Sequence, residues 1–167
     1  NWYNKTIGNE LDIYGVDYMG TYDIQGDFII RVASPKIKSI DFIPKNAIIQ
    51  LNKSGLTRFY MKIPEGIIEV FGASIHPSND PLKKNTKSSG YFFVARILDK
   101  NFFKKIEKLT NSGVKFIENV RKKEYEQHHI FSIVALKDYE GKVTVLKVEA
   151  DGNQAILQAY GIDEIPG

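Results

Sequence analysis

The residues that could do metal or proton chemistry are few. There are three histidines: His76 stands alone, and His128 and His129 are adjacent. Neighbouring positions of a strand point to opposite faces, so an adjacent pair is a poor chelate and reads as a solvated linker pair. The chain has no cysteine, which excludes disulfides, thiolate metal sites and cysteine nucleophiles together. It carries no phosphate-binding glycine loop, no serine nucleophile elbow, no HExxH zinc motif and no GxGxxG fingerprint. The pairs Ser54-Gly55, Ser89-Gly90 and Ser112-Gly113 fall where turns are needed, and turn chemistry accounts for Asp138 and Glu140. Neither catalysis, nor a metal site, nor a cofactor is expected of this domain.

One basic residue carries more information. Arg96 lies inside the apolar run Tyr91–Leu98, and a positive charge there must reach water, a carboxylate or a ligand. Two readings stand side by side. Arg96 is an outward arginine on a half-exposed strand, or it is the anchor of a pocket for an anionic ligand. In the second case Tyr91 and Phe93, or their strand neighbours, form the walls, and the polar stretch 76–90 acts as a lid. Two sequons, Asn4-Lys5-Thr6 and Asn52-Lys53-Ser54, add weight towards an exported domain.

The elements that must hold these residues follow from periodicity. Tyr3, Ile7, Leu11 and Tyr14 recur at spacings of four, four and three, which predicts a helix over 2–14. Gly15 and Gly20 then punctuate a short loop. Phe28–Val32 reads as a strand closed by Ser34-Pro35. Ala47–Leu51 is a second short apolar run, and Asn52–Gly55 a turn with Gly55 at positive φ. Thr57–Ile63 and Ile67–Ile75 read as an antiparallel hairpin about Glu65-Gly66. After the polar loop come the strand Tyr91–Leu98, the cap residue Asp99, and a helix with Phe102, Phe103, Ile106 and Leu109 as its buried stripe. Gly113 is expected just past that helix and Val114–Ile117 as a strand. Ile130–Leu136 and Lys142–Glu149 form a second hairpin, and Asp151 caps a closing helix over 151–160. Short turns between successive strands predict an antiparallel sheet and an α+β fold.

Length and composition agree with an ordinary globular domain. The 167 residues are 43% hydrophobic and 26% charged, enough for an independent core, and no boundary divides them. Net charge is +3 and acidic residues interrupt the basic clusters, so no nucleic-acid partner is expected. Ile130–Leu136 and similar apolar stretches fall far short of the roughly 20 residues that span a bilayer. The chain begins at Asn1 rather than Met, from which the removal of an upstream segment is expected.

An ordered series of motifs completes the reading. Phe71-Gly72-Ala73-Ser74-Ile75, the polar loop, Gly90–Asp99, the helix Phe102–Leu109 and the hairpin Ala135–Lys142 together resemble the fourth class of CHASE sensor domains, with the match strongest over 67–161. The resemblance implies a PAS-like or Cache-like α+β domain with a central antiparallel sheet, an N-terminal helix and flanking helices. It implies that residues 1–167 are a single extracytoplasmic sensor domain of a prokaryotic membrane receptor, such as a sensor histidine kinase. Such a domain takes a small-molecule or protein stimulus, sits between two membrane helices removed from this chain, allows a homodimer through the receptor, and keeps both termini at one end. The alternative expectation is a structural or protein-interaction domain of the same fold without a small ligand.

Overall fold

The structure, a computed structural model, describes residues 10–39, 41–80, 82–83, 85–110, 112–117 and 131–151. They gather into two compact units. One comprises the residues up to Leu98 together with Lys137–Lys142; the other comprises Asp99–Leu136 and the residues from Val143 on.

The first unit is built on five antiparallel strands. In chain order these are β1 (Tyr18–Tyr22), β2 (Phe28–Ala33), β3 (Leu56–Ile63), β4 (Gly66–Ile75) and β5 (Gly90–Ile97), with helix α1 (Lys45–Ser54) between β2 and β3. Their order across the sheet is β2-β1-β5-β4-β3, and every neighbouring pair is antiparallel. Side chains alternate across a strand. The inner face therefore collects Tyr18, Tyr22, Phe59, Ile68, Val70, Tyr91, Phe93 and Ala95, which join Ala47, Ile48 and Leu51 of α1 in one buried cluster. Asp17, at the entry to β1, ties three strands. Its Oδ2 accepts the Ile97 backbone N–H at 2.9 Å, and its Oδ1 accepts the Ser34 hydroxyl at 3.0 Å.

Three local expectations change in this unit. Residues 18–22 form β1 rather than a glycine-punctuated loop. Gly20 sits mid-strand because the Tyr18 side chain folds over it; a Cβ there would stand 2.5 Å from the Tyr18 hydroxyl. The apolar run Ala47–Leu51 lies in a helix that continues through Ser54, so the expected turn at 52–54 is its last turn. Ala47, Ile48 and Leu51 point into the core while Ile49 faces out, a helical rather than two-residue period. Gly55 does take the positive φ expected of it, 70°, as the left-handed cap of this helix.

The hairpin Thr57–Ile63 with Ile67–Ile75 forms as expected, from Leu56 to Ile75. The polar stretch after it is folded upon itself. Asp80, 4% exposed, accepts the Asn85 and Thr86 N–H groups at 2.9 and 2.8 Å and the Thr86 hydroxyl at 2.7 Å, all on Oδ2.

The second unit holds α2 (Lys100–Thr110), β6 (Ser112–Ile117), β7 (Phe131–Lys137) and β8 (Val143–Asp151), with strand order β6-β8-β7. Asp99 caps α2 as expected: its Oδ1 accepts the Phe102 N–H at 2.8 Å. Phe103 meets Phe116 edge to face with ring centres 4.8 Å apart. Leu109 departs from the expected buried stripe and is 85% exposed. Ser112 and Gly113 begin β6 instead of ending the helix, with Gly113 opposite Ala150. Asp151 is the last residue of β8, opposite Ser112. The expected closing helix, most of the opening helix and the placement of the termini lie outside the described residues, of which 10–14 are helical.

Candidate functional site

On the inner face the sheet is occupied by its own side chains. Tyr18 and Tyr22 lie there four residues apart, with their hydroxyls 2.7 Å from one another. Burial, the largest cause, pushes both phenols above their ordinary pKa, so both remain protonated. Tyr18 packs on Phe42 and Tyr22 meets Phe93 edge to face, at 4.7 and 5.5 Å between ring centres. Beside them Arg31 pairs with Asp41 and stacks over the Phe28 ring at 4.0 Å.

This packing separates the three residues expected to form a ligand site. Tyr91 and Phe93 are buried among the inner-face aromatics, 1% and 0% exposed. Arg96 stands an odd number of positions from both and so points to the opposite face. Tyr91 and Phe93 therefore do not wall a pocket with Arg96, whose face is shared by their strand neighbours Phe92 and Val94. Arg96 lies on the outer face and reaches a carboxylate there.

That carboxylate is Glu69, directly opposite Arg96 on β4 and 1% exposed. Its Oε2 receives Nε and Nη2 of Arg96, each at 2.6 Å. Its Oε1 receives Nε of Arg58 at 2.8 Å, Nη2 of Arg58 at 2.5 Å and the Tyr60 hydroxyl at 2.9 Å. Arg58 also donates to the Tyr60 oxygen at 2.6 Å. Burial alone would push the Glu69 carboxyl up. The hydrogen bonds from Arg58, Tyr60 and Arg96, with the Arg96 charge, outweigh it and hold the group below the ordinary carboxylate value. The same carboxylate, above all through its hydrogen bond, pushes Arg58 up, and burial followed by the Glu69 contact raises Tyr60. A signal for this network was present in the sequence: Glu69 is a lone acid in the apolar run Ile67–Phe71, the counterpart of Arg96 in its own run.

The network borders an apolar groove on the same outer face. Cross-strand register lines up Leu56, Ala73 and Phe92 in one row, and Arg58, Phe71 and Val94 in the next. Between these rows lies a groove of about 370 Å³ lined by Arg58, Phe71, Ala73, Phe92 and Val94, with Leu56 at its edge. A smaller hollow of about 180 Å³ shares Phe92 and continues over Met19, Thr21 and Val32 as far as Glu10.

The remaining polar residues hold the loop. His76 places Nδ1 3.2 Å from the Thr86 hydroxyl and Nε2 3.2 Å from that of Ser74. Thr86 spends its proton on Asp80, so the ring donates from Nδ1. Among the described residues no three His, Cys, Asp or Glu side chains come together as a metal site; His128 and His129 lie outside them. Asp138 acts as turn chemistry requires, its Oδ1 accepting the Glu140 and Lys142 N–H groups at 2.9 Å each. No protein-family model matches the chain, and no curated protein matches it.

Proposed function

We propose that this chain is the sensing domain of a transmembrane receptor, a PAS-like module exposed outside the cytoplasm that binds a stimulus and passes it to an output domain through flanking membrane helices. The observation that supports the reading is the antiparallel sheet of order β2-β1-β5-β4-β3 with a helical excursion between β2 and β3. The series of motifs over 67–161 that resembles the CHASE class supports it further. Sensing requires that a ligand favour one of two arrangements of the flanking helices. A three-glycine insertion at Gly152, just past the end of β8, therefore uncouples the sheet from whatever follows while the core stays folded. In the full-length receptor this insertion should abolish stimulus-dependent output in a reporter assay. Unchanged output would show that this junction does not carry the signal.

A second reading, a protein-interaction domain of the same fold without a small ligand, has one observation in its favour. The inner sheet face is filled by Tyr18, Tyr22, Phe59 and Phe93, which leaves the outer face as the surface available for binding. A receptor that responds to a protein extract and to no small molecule would favour it.

A further inference from the structure

We propose that the outer-face groove beside Arg58 binds small amphiphilic carboxylates, organic anions with an aromatic or aliphatic body. The proposal deepens the sensor reading, on which it rests for its biological meaning. The binding itself is a property of this chain.

Two features of the groove select that chemistry. Its volume, about 370 Å³, falls in the range of small-molecule sites, about 300–1,000 Å³. Its floor and walls are Phe71, Ala73, Phe92 and Val94, and the one titratable residue lining it is Arg58. An apolar body is thus accepted, and a negative end is drawn to a single place. Two guanidiniums, Arg58 and Arg96, meet the carboxylate of Glu69. Glu69 is enclosed, but the Arg58 side chain is 57% exposed.

Arg58 is also held ready. Its Nε and Nη2 are engaged by Glu69 and Tyr60, and its guanidinium lies over the Phe71 and Tyr60 rings at 5.3 and 5.5 Å. None of the described residues takes its Nη1. An arginine fixed through Nε and Nη2 presents Nη1 alone on the other side, where it can donate a charge-assisted hydrogen bond to a carboxylate oxygen. Preorganisation removes much of the ordering cost of binding.

The test titrates the 167-residue chain with three probes, 3-phenylpropionate, the neutral 3-phenylpropanamide and acetate, followed by amide NMR. Saturable binding of 3-phenylpropionate is expected, with shifts centred on Ala73, Phe92 and Val94. The amide and acetate should each bind at least about tenfold more weakly, since one lacks the charge-assisted hydrogen bond and the other the apolar body. Arg58→Gln should weaken 3-phenylpropionate by a similar factor. Ala73→Leu, which fills the groove and leaves Arg58 in place, should do the same and keeps the test valid if Arg58→Gln does not fold. Absence of saturable binding overturns the proposal. So does equal affinity for the amide, or affinity untouched by Ala73→Leu. Binding with shifts centred elsewhere overturns the groove and leaves the sensor reading standing. Binding in the groove that produces no output in the full-length receptor upholds the groove and overturns the sensor reading.

Discussion

Phe93 lies directly opposite Gly72 across the β4–β5 ladder, and its ring covers the glycine so closely that a Cβ there would stand 2.5 Å from Cε1. Phe93 is wholly buried and its ring is pinned edge to face against Tyr22, so it has little room to withdraw. Gly72→Ala should therefore act as an overpacking substitution and cost about 1–3 kcal/mol. Urea unfolding monitored by circular dichroism reads this directly; an unchanged midpoint would show that the ring yields freely.

Glu69 couples stability to acid. Its carboxyl is held below the ordinary value of 4.5 when folded, so the folded state favours the ionised form. The stabilisation it contributes is complete above the unfolded pKa and disappears as pH falls through the folded one. Glu69→Gln should lower stability at pH 7 by about 2–3 kcal/mol, because it removes charged hydrogen bonds from two arginines that still reach water. The loss of stability below pH 4.5 should become shallower in the variant. An acid limb of unchanged slope would mean that other carboxylates carry the transition.

Asp17 predicts a local effect. Replacement by alanine removes the acceptor of the buried Ile97 N–H and of the Ser34 hydroxyl. An orphaned buried donor costs about 1–3 kcal/mol. Asp17→Asn retains one acceptor oxygen and should cost less. Hydrogen exchange at the Ile97 amide should accelerate in the alanine variant, and full retention of protection would contradict the assignment.

Gly141 has φ 83° in the turn that Asp138 organises. A β-branched residue is strained in that region, so Gly141→Val should cost more than about 1 kcal/mol, while Gly141→Asn should cost less because asparagine tolerates it. Equal denaturation midpoints for the two variants would refute the backbone argument, since Gly141 has open space around it and packing cannot distinguish them.

The elements legible in the sequence were those with a local cause. The β3–β4 hairpin, the Asp99 cap, the positive φ of Gly55 and the Asp138–Gly141 turn each follow from residues within a few positions of one another. What escaped needed tertiary context. Gly20 reads as a break until Tyr18 is seen to fold over it. Ala47–Leu51 is too short for its period to separate helix from strand. Tyr91 and Phe93 separate from Arg96 for a different reason, because strand parity alone places them on the opposite face. Glu69 became the partner of Arg96 only when β4 and β5 came into register, which one sequence does not specify.

Strand β2 has consequences for how the protein behaves at high concentration. Among the described residues it has β1 as its one neighbour, and Phe28, Ile29 and Ile30 on it are exposed. A backbone edge bearing three consecutive apolar side chains is a template for lateral growth of the sheet from molecule to molecule. Arg31 follows immediately and is paired with Asp41. Association between molecules is therefore expected to begin at the edge of β2 as the protein concentration rises.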